Sequence, residues 1–235
     1  MNRPERPAAA HRAATKPATE PVSDPAATDA ATVIAHTRAW VQRAVVGLNL
    51  CPFAKAPLAK AQVRFVVCQA ADDAGLLAAF CIEMQALAAA DPAVRETTLL
   101  IHPHGFEDFA DFNDFLGAAE DALAAHGFEG VLQVASFHPA YQFAGTDASD
   151  LGNATNRSPY PTLHLLREAS VERAVAAFPE AEAIYEVNIA TLDALGVVGW
   201  AALQAQCLAD AALSVPAEHA APSALAPHEP ASPDA

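Results

Sequence analysis

Two apolar runs in this chain finish in the same dipeptide. They are Leu99-Leu100-Ile101-His102-Pro103 and Ala135-Ser136-Phe137-His138-Pro139, 36 residues apart. Each reads as a β-strand ending in His-Pro, and the interval is about one strand-helix unit. An imidazole at a strand end can act as acid, base or metal ligand near neutral pH. If the two strands are neighbours, His102 and His138 stand side by side with backbones ~4.8 Å apart. His104, with Glu107 or Asp108, could then complete a divalent-metal shell. Without metal, His138 is the candidate acid/base group. The competing reading is that each His only caps the sheet edge with hydrogen bonds.

Arg157 is the second candidate. Between Arg95 and Arg157 there are ten Asp or Glu residues and no Lys or Arg. The Asn156-Arg157-Ser158 triplet precedes Pro159 and Pro161, and it has the composition of an anion-binding turn, because a guanidinium donates in a plane to carboxylate or phosphate. A structural salt bridge to one of the many acids is the alternative. Tyr141 and His164 are candidates to line the same cleft. For Arg167-Glu168 the expectation is a local pairing.

Cys51 is the third. It stands before Pro52, a favoured first residue of a helix, with Lys55 close by, a setting that lowers a thiol pKa. A Cys51-His138 nucleophilic pair is then conceivable. Against it, free cysteines are most often small buried hydrophobes.

The elements that must position these groups follow from periodicity. Asp29 caps a helix carrying Val33, Trp40, Val41, Ala44 and Leu48, which must stop by Cys51 because Pro52 excludes αR before it. Val63 to Cys68 is a strand. Asp72 and Asp73 start a helix with Leu76, Leu77, Phe80, Met84 and Leu87 on one face. Thr97 to Ile101 is a strand, and Phe109, Phe112, Leu116, Ala119 and Leu123 form the inner stripe of the next helix, with Asp111, Asp114 and Asp121 away from it and Gly127 as its stop. Val131 to Phe137 is a third strand, and Thr162 to Leu166 is a fourth strand or a helix start. Ser170 caps a helix ending at Pro179. Ile184 to Leu195 is another, stopped by Gly196, and Trp200 to Leu213 is the last.

Strand-helix alternation implies a single α/β domain with a three- or four-stranded, mainly parallel sheet packed by helices. A ferredoxin-like α+β sandwich is the alternative. Residues 1–28 and 216–235 are Pro- and Ala-rich without an apolar period and read as disordered tails around a domain at 29–215.

Composition narrows the function classes. Thirteen Lys and Arg against 28 Asp and Glu leave a net charge of -15. Such a chain repels phosphate backbones and anionic lipid, so neither nucleic acid nor membrane is expected as a partner. The apolar stretch Ala194 to Leu203 is too short to cross a bilayer. No apolar segment follows Arg3, Arg6, Arg12 and Lys16, so the N-terminus does not read as a secretory signal. Cys51, Cys68, Cys81 and Cys207 share no CxxC spacing and read as reduced thiols of a cytoplasmic protein. There is no nucleotide-cofactor motif of the Gly-rich, Walker or GxSxG kinds.

Several longer motifs carry a resemblance. They are Leu50-Cys51-Pro52-Phe53-Ala54-Lys55, Asp111-Phe112-Asn113-Asp114-Phe115-Leu116, Ser136-Phe137-His138-Pro139 with Tyr141-Gln142-Phe143-Ala144-Gly145-Thr146, and Thr155-Asn156-Arg157-Ser158-Pro159-Tyr160-Pro161 leading into His164-Leu165-Leu166-Arg167-Glu168. With them, the chain from about residue 31 to 203 resembles the bacterial domain-of-unknown-function family fourteen-fifteen. The resemblance implies a cytosolic bacterial protein and carries no activity. The residues themselves support three readings. One is an enzyme acting on an anionic small molecule through His138, Cys51 and Arg157. Another is a non-catalytic ligand- or partner-binding domain, and the last is a metal-dependent hydrolase centred on His102 and His138. Oligomeric state is not readable from these motifs.

Overall fold

Helix α1 (Ala30–Trp40) begins where Asp29 Oδ2 accepts the Thr32 N–H at 3.2 Å. It runs into a π-helical turn, Val41–Val46, and the chain leaves the helix before Cys51, with Asn49 at φ 56°. In this computed structural model residues 29–177 and 183–215 are described. The sequence-expected tails and the Pro179 helix end lie outside them.

The remaining elements are α2 (Lys55–Ala59), β1 (Val63–Val67), α3 (Asp73–Ala89), β2 (Thr97–Ile101), α4 (Phe109–Ala125), β3 (Leu132–Phe137), a 3-10 segment Leu151–Asn156, β4 (Thr162–Arg167), α5 (Glu168–Ala176) and α6 (Ile184–Ser214). Side-chain caps define two of the starts. Asp72 accepts from Gly75 N–H at 2.8 Å, and Asp108 accepts from Ala110 N–H at 2.8 Å. The stop expected at Gly127 is present, with φ 74° and the Phe128 N–H returning to Leu123 O.

The four strands are ordered β1-β2-β4-β3. β1 and β2 are parallel, and β4 runs antiparallel to both β2 and β3. This corrects the mainly parallel sheet expected above: two of its three pairings are antiparallel, so the domain takes the α+β alternative. Because β2 and β3 still point the same way, both His-Pro corners emerge at one edge. They are not neighbours. β4 lies between them, which places the two backbones about 10 Å apart rather than one strand spacing.

Helices cover both faces. Leu100, Leu132, Leu163 and Leu165 pack under α3 and α4 against Leu76, Phe80, Met84, Phe112, Phe115 and Ala119. Leu99 faces the opposite layer, where Trp40, Ala44, Leu50, Ala154, Leu192 and Trp200 cluster. The strands alternate between these cores, as period-two side chains must. Thus Arg64, Thr98 and Arg167 face α3, whereas Phe65 lies under Arg38 of α1 (4.5 Å from guanidinium carbon to ring centre).

One helix start changes. α5 starts at Glu168, two residues before Ser170, directly from β4. The stop expected at Gly196 is present as a kink within α6: its φ 70°, ψ 169° is non-helical, a conformation glycine adopts readily, and it separates two helical runs. By length and composition α6 is apolar enough to cross a membrane, contrary to the expectation drawn from Ala194 to Leu203. In this fold Asn188, Leu192, Trp200, Cys207 and Ala211 anchor one of its sides on the core.

Candidate functional site

The loop joining β2 to α4 ties the two His-Pro corners together. His102 is 1 % exposed, and a Cβ on Gly105 would meet its Nε2 at 2.6 Å, so the chain passes over the imidazole only because residue 105 is glycine. The next residue, Phe106, takes φ 57°, a strained conformation for a bulky side chain. Its ring meets those of His102, Phe112 and Phe115 at 5.2–5.7 Å between centres.

The Phe106 carbonyl accepts a hydrogen bond from His138 Nε2 at 2.8 Å, and His138 Nδ1 accepts the Ala140 N–H at 3.0 Å. An amide can only donate, so Nδ1 carries no proton and Nε2 does. The tautomer is therefore fixed by the backbone. His138 is 1 % exposed and stacks on Phe112 at 5.4 Å between ring centres. Burial pushes its pKa down, against the Phe106 carbonyl, which favours the cation. His102 is lowered as well, by burial first and then by His104. Its Nδ1 has no hydrogen bond of good geometry, although the Cys68 backbone lies near.

These engagements do not suit a metal. Both nitrogens of His138 are committed to backbone groups, and β4 separates it from His102. His104 bonds Gln69 instead (3.0 Å), and Asp108 caps α4. Among the described residues no three His, Cys, Asp or Glu side chains form a metal-holding cluster. The donor set here does not fit the divalent metal considered above.

Residues 139–150 form a polar loop over the same edge. Asn153, fully buried, accepts from Phe143 N–H and Thr146 Oγ1 (both 2.9 Å) and donates to Asp147 O at 2.8 Å. Arg157 donates from Nε to Tyr141 O (3.1 Å) and from Nη2 to Ala148 O (2.7 Å). Among the described residues neither bond goes to an acid. Its half-buried guanidinium closes the loop, and burial lowers its pKa against the nearby Asp150. Asn156 supplies its carbonyl to the His138 N–H (3.2 Å), and Ser158 Oγ donates to Tyr160 O (2.5 Å). Tyr141 packs on Phe109 at 4.8 Å. His138, Tyr141, Asn156 and Arg157 thus share one loop system.

Cys51 and His164 lie with the opposite core. Phe53 and Ala54 backbone groups favour the Cys51 thiolate, as a helix-start setting should, but burial outweighs them and raises the thiol pKa. The thiolate expected from sequence is not favoured. His164, on the central strand β4, meets Thr97 Oγ1 through Nε2 at 2.7 Å, while that hydroxyl donates to Leu165 O at 2.6 Å. Since Thr97 has spent its one proton, His164 Nε2 is the donor. Burial lowers the His164 pKa to about 4.

A His with a depressed folded pKa opposes folding as it gains a proton. Stability is therefore whole above the unfolded value near 6.5 and falls as pH drops toward 4. His164 alone should remove about 2 kcal/mol between pH 7 and 5. Urea titrations at the two pH values should show this slope, and His164→Gln, which retains a donor for Thr97, should flatten it. An unchanged slope in the variant would refute the assignment.

Among the described residues Arg167 is paired with neither Glu168 nor another acid. It donates to Leu87 O and Ala90 O at 2.7 Å, capping the C-terminal end of α3.

An open groove of about 830 Å³ lies at the His-Pro edge, between the N-terminal turns of α3 and α4. Its floor is Leu77, Phe106 and Phe115, and its rim carries Asp73, Glu107, Asp108, Asp111 and Asp114. Among the described residues no Lys, Arg or His lines it. Asp111 and Asp114 stand off the buried stripe of α4, as expected, and the sequence signal for a shared site is their i,i+3 spacing beside Asp108, after a Gly-Phe loop.

The family model described as "Protein of unknown function (DUF1415)" matches residues 32–202. The chain belongs to this family. The DUF1415 match thus spans the sheet, both His-Pro corners, the acidic groove and the kink of α6. No curated protein and no solved structure matches the chain.

Proposed function

We propose that this DUF1415 domain is a non-catalytic ligand-binding domain, and that its ligand is an aliphatic polyamine held in the α3–α4 groove. One observation carries the reading: five carboxylates surround an apolar floor, with no basic side chain among the described lining residues. Methylene segments fit over Leu77, Phe106 and Phe115, each buried CH₂ contributing about 0.8 kcal/mol. Ammonium groups meet the rim carboxylates, at roughly 0.2–1 kcal/mol per solvent-exposed pair, a part that salt screens. The enzyme reading is less well served. Two of the Arg157 donors already hold the Tyr141 and Ala148 carbonyls, and both nitrogens of His138 are engaged by backbone groups.

Isothermal titration with spermidine at low ionic strength tests this. Binding should weaken with added salt and be lost in the Asp111→Asn, Asp114→Asn double variant, whose substituted side chains are exposed. Absence of spermidine binding, or binding indifferent to the double substitution, overturns the proposal. Binding of citrate that is lost in Arg157→Ala would overturn it in favour of the anion reading.

A further inference from the structure

The second half of α6, Val197 to Ser214, packs on the core through Trp200, Cys207 and Ala211. Its other side is apolar and open. Val197 is 71 % exposed, Val198 84 %, Leu208 55 % and Leu213 87 %. Between them Ala201, Ala202, Ala205, Ala209 and Ala212 are exposed as well. The stretch holds one charged residue, Asp210, which Arg43 of the π-helical turn holds through two bonds of 2.5 and 2.8 Å. An isolated exposed valine needs no explanation, but a continuous uncharged helix face on a chain of net charge -15 does.

We infer that this face is a two-fold docking surface for a second copy of the chain. The order of residue sizes argues for that occupant. An antiparallel pair of α6 helices with its axis at Ala205 sets Val197 against Leu213, Ala202 against Leu208, and Ala201 against Ala209. Val198 likewise meets Ala212, so Val197 and Leu213 pair at the ends, Val198 and Leu208 each face an alanine, and Ala201, Ala205 and Ala209 at the centre let the backbones approach. A face that is its own complement under a two-fold is what an isologous dimer requires. Charge argues the same way. Two copies of so acidic a domain repel over most of their surface, and this face brings no carboxylate opposite another. An anionic lipid surface is a poorer occupant, because the helix offers it no Lys or Arg. The helix half is about 27 Å long. One such face covers less than the ~800 Å² per partner of a standard interface, so the dimer is weak and depends on concentration.

Sedimentation equilibrium of the full chain, from micromolar to sub-millimolar loading, should show reversible monomer–dimer exchange. Ala205→Glu should raise the dissociation constant by more than about 100-fold, since it buries two facing carboxylates. Because Ala205 is exposed, the variant should keep the wild-type melting temperature. Ala205→Cys should cross-link to itself on mild oxidation. Ala201→Cys should not, since its own symmetry mate lies about 12 Å along the helix, beyond disulfide reach. A wild-type chain that stays monomeric throughout, a dimer that Ala205→Glu leaves intact, or a monomer that floats with neutral lipid vesicles would each overturn the inference.

Discussion

Glu83→Ala is expected to destabilise the domain by about 3–5 kcal/mol, because it strands a buried guanidinium. Glu83 sits on α3 at 7 % exposure. It receives Arg64 Nε at 3.1 Å and Arg95 Nη2, and Arg95 also donates to Thr98 Oγ1 at 2.9 Å. The two arginines do not count equally. The Arg64 side chain is half exposed, and its pairing contributes at most about 1 kcal/mol. The Arg95 side chain is only 13 % exposed, so losing its carboxylate leaves a charge that water cannot fully reach. Chemical denaturation gives the loss directly. Replacing both partners, as in Glu83→Met with Arg95→Met, should recover most of it, since neither charge is then left unpaired. A loss below about 1 kcal/mol in Glu83→Ala would mean that solvent already compensates Arg95.

His138→Ala should cost a similar amount, about 3–5 kcal/mol, as the sum of a cavity and two orphaned backbone groups. The imidazole fills the space beside Phe109 and Phe112 and holds Phe106 O and Ala140 N–H. The two bonds can be tested separately. In His138→Asn, Oδ1 can take the place of Nδ1 and accept from Ala140. In His138→Gln, Nε2 can donate to Phe106 in place of the ring nitrogen. Each variant should recover part of the loss, and amide exchange should rise at Ala140 in the Gln variant but not in the Asn variant. If His138→Ala instead melts like the wild type, the residue is no structural clamp, and an acid/base role regains its case.

This second prediction marks the limit of what the His-Pro repeat could disclose. That both strands finish at one edge followed from the repeat and its spacing. What each imidazole does there followed from Phe106, a residue 32 positions before His138 in the chain, held at a strained φ over Gly105. The repeat contains neither partner. Arg157 is a parallel case. Its isolation in an acidic block was visible, but its bonding partners are two backbone carbonyls, and carbonyls leave no trace in composition.

The local elements were legible because their determinants are local. Asp29 and Asp72 cap helices through amides three residues on, Gly127 ends α4, and Leu76, Phe80, Met84 and Leu87 recur at the helical period. Pro52 likewise bars the first helix from running past Cys51. Sheet order is different in kind. β4 enters between β2 and β3 by pairing Leu99 with His164, and no short-range pattern records a contact between strands more than sixty residues apart. That insertion turns two of three pairings antiparallel and separates His102 from His138, so it removes the paired-imidazole site that the sequence invites. The acidic groove has the same origin. Asp73 belongs to one helix start and Asp108, Asp111 and Asp114 to another, and only the parallel pairing of β1 with β2 sets those two starts side by side. Sequence therefore determined the helices, the strands and the capping acids through near-neighbour hydrogen bonds and periodic burial. Tertiary structure decided which of their ends meet, because strand pairing is a long-range choice made by the whole core.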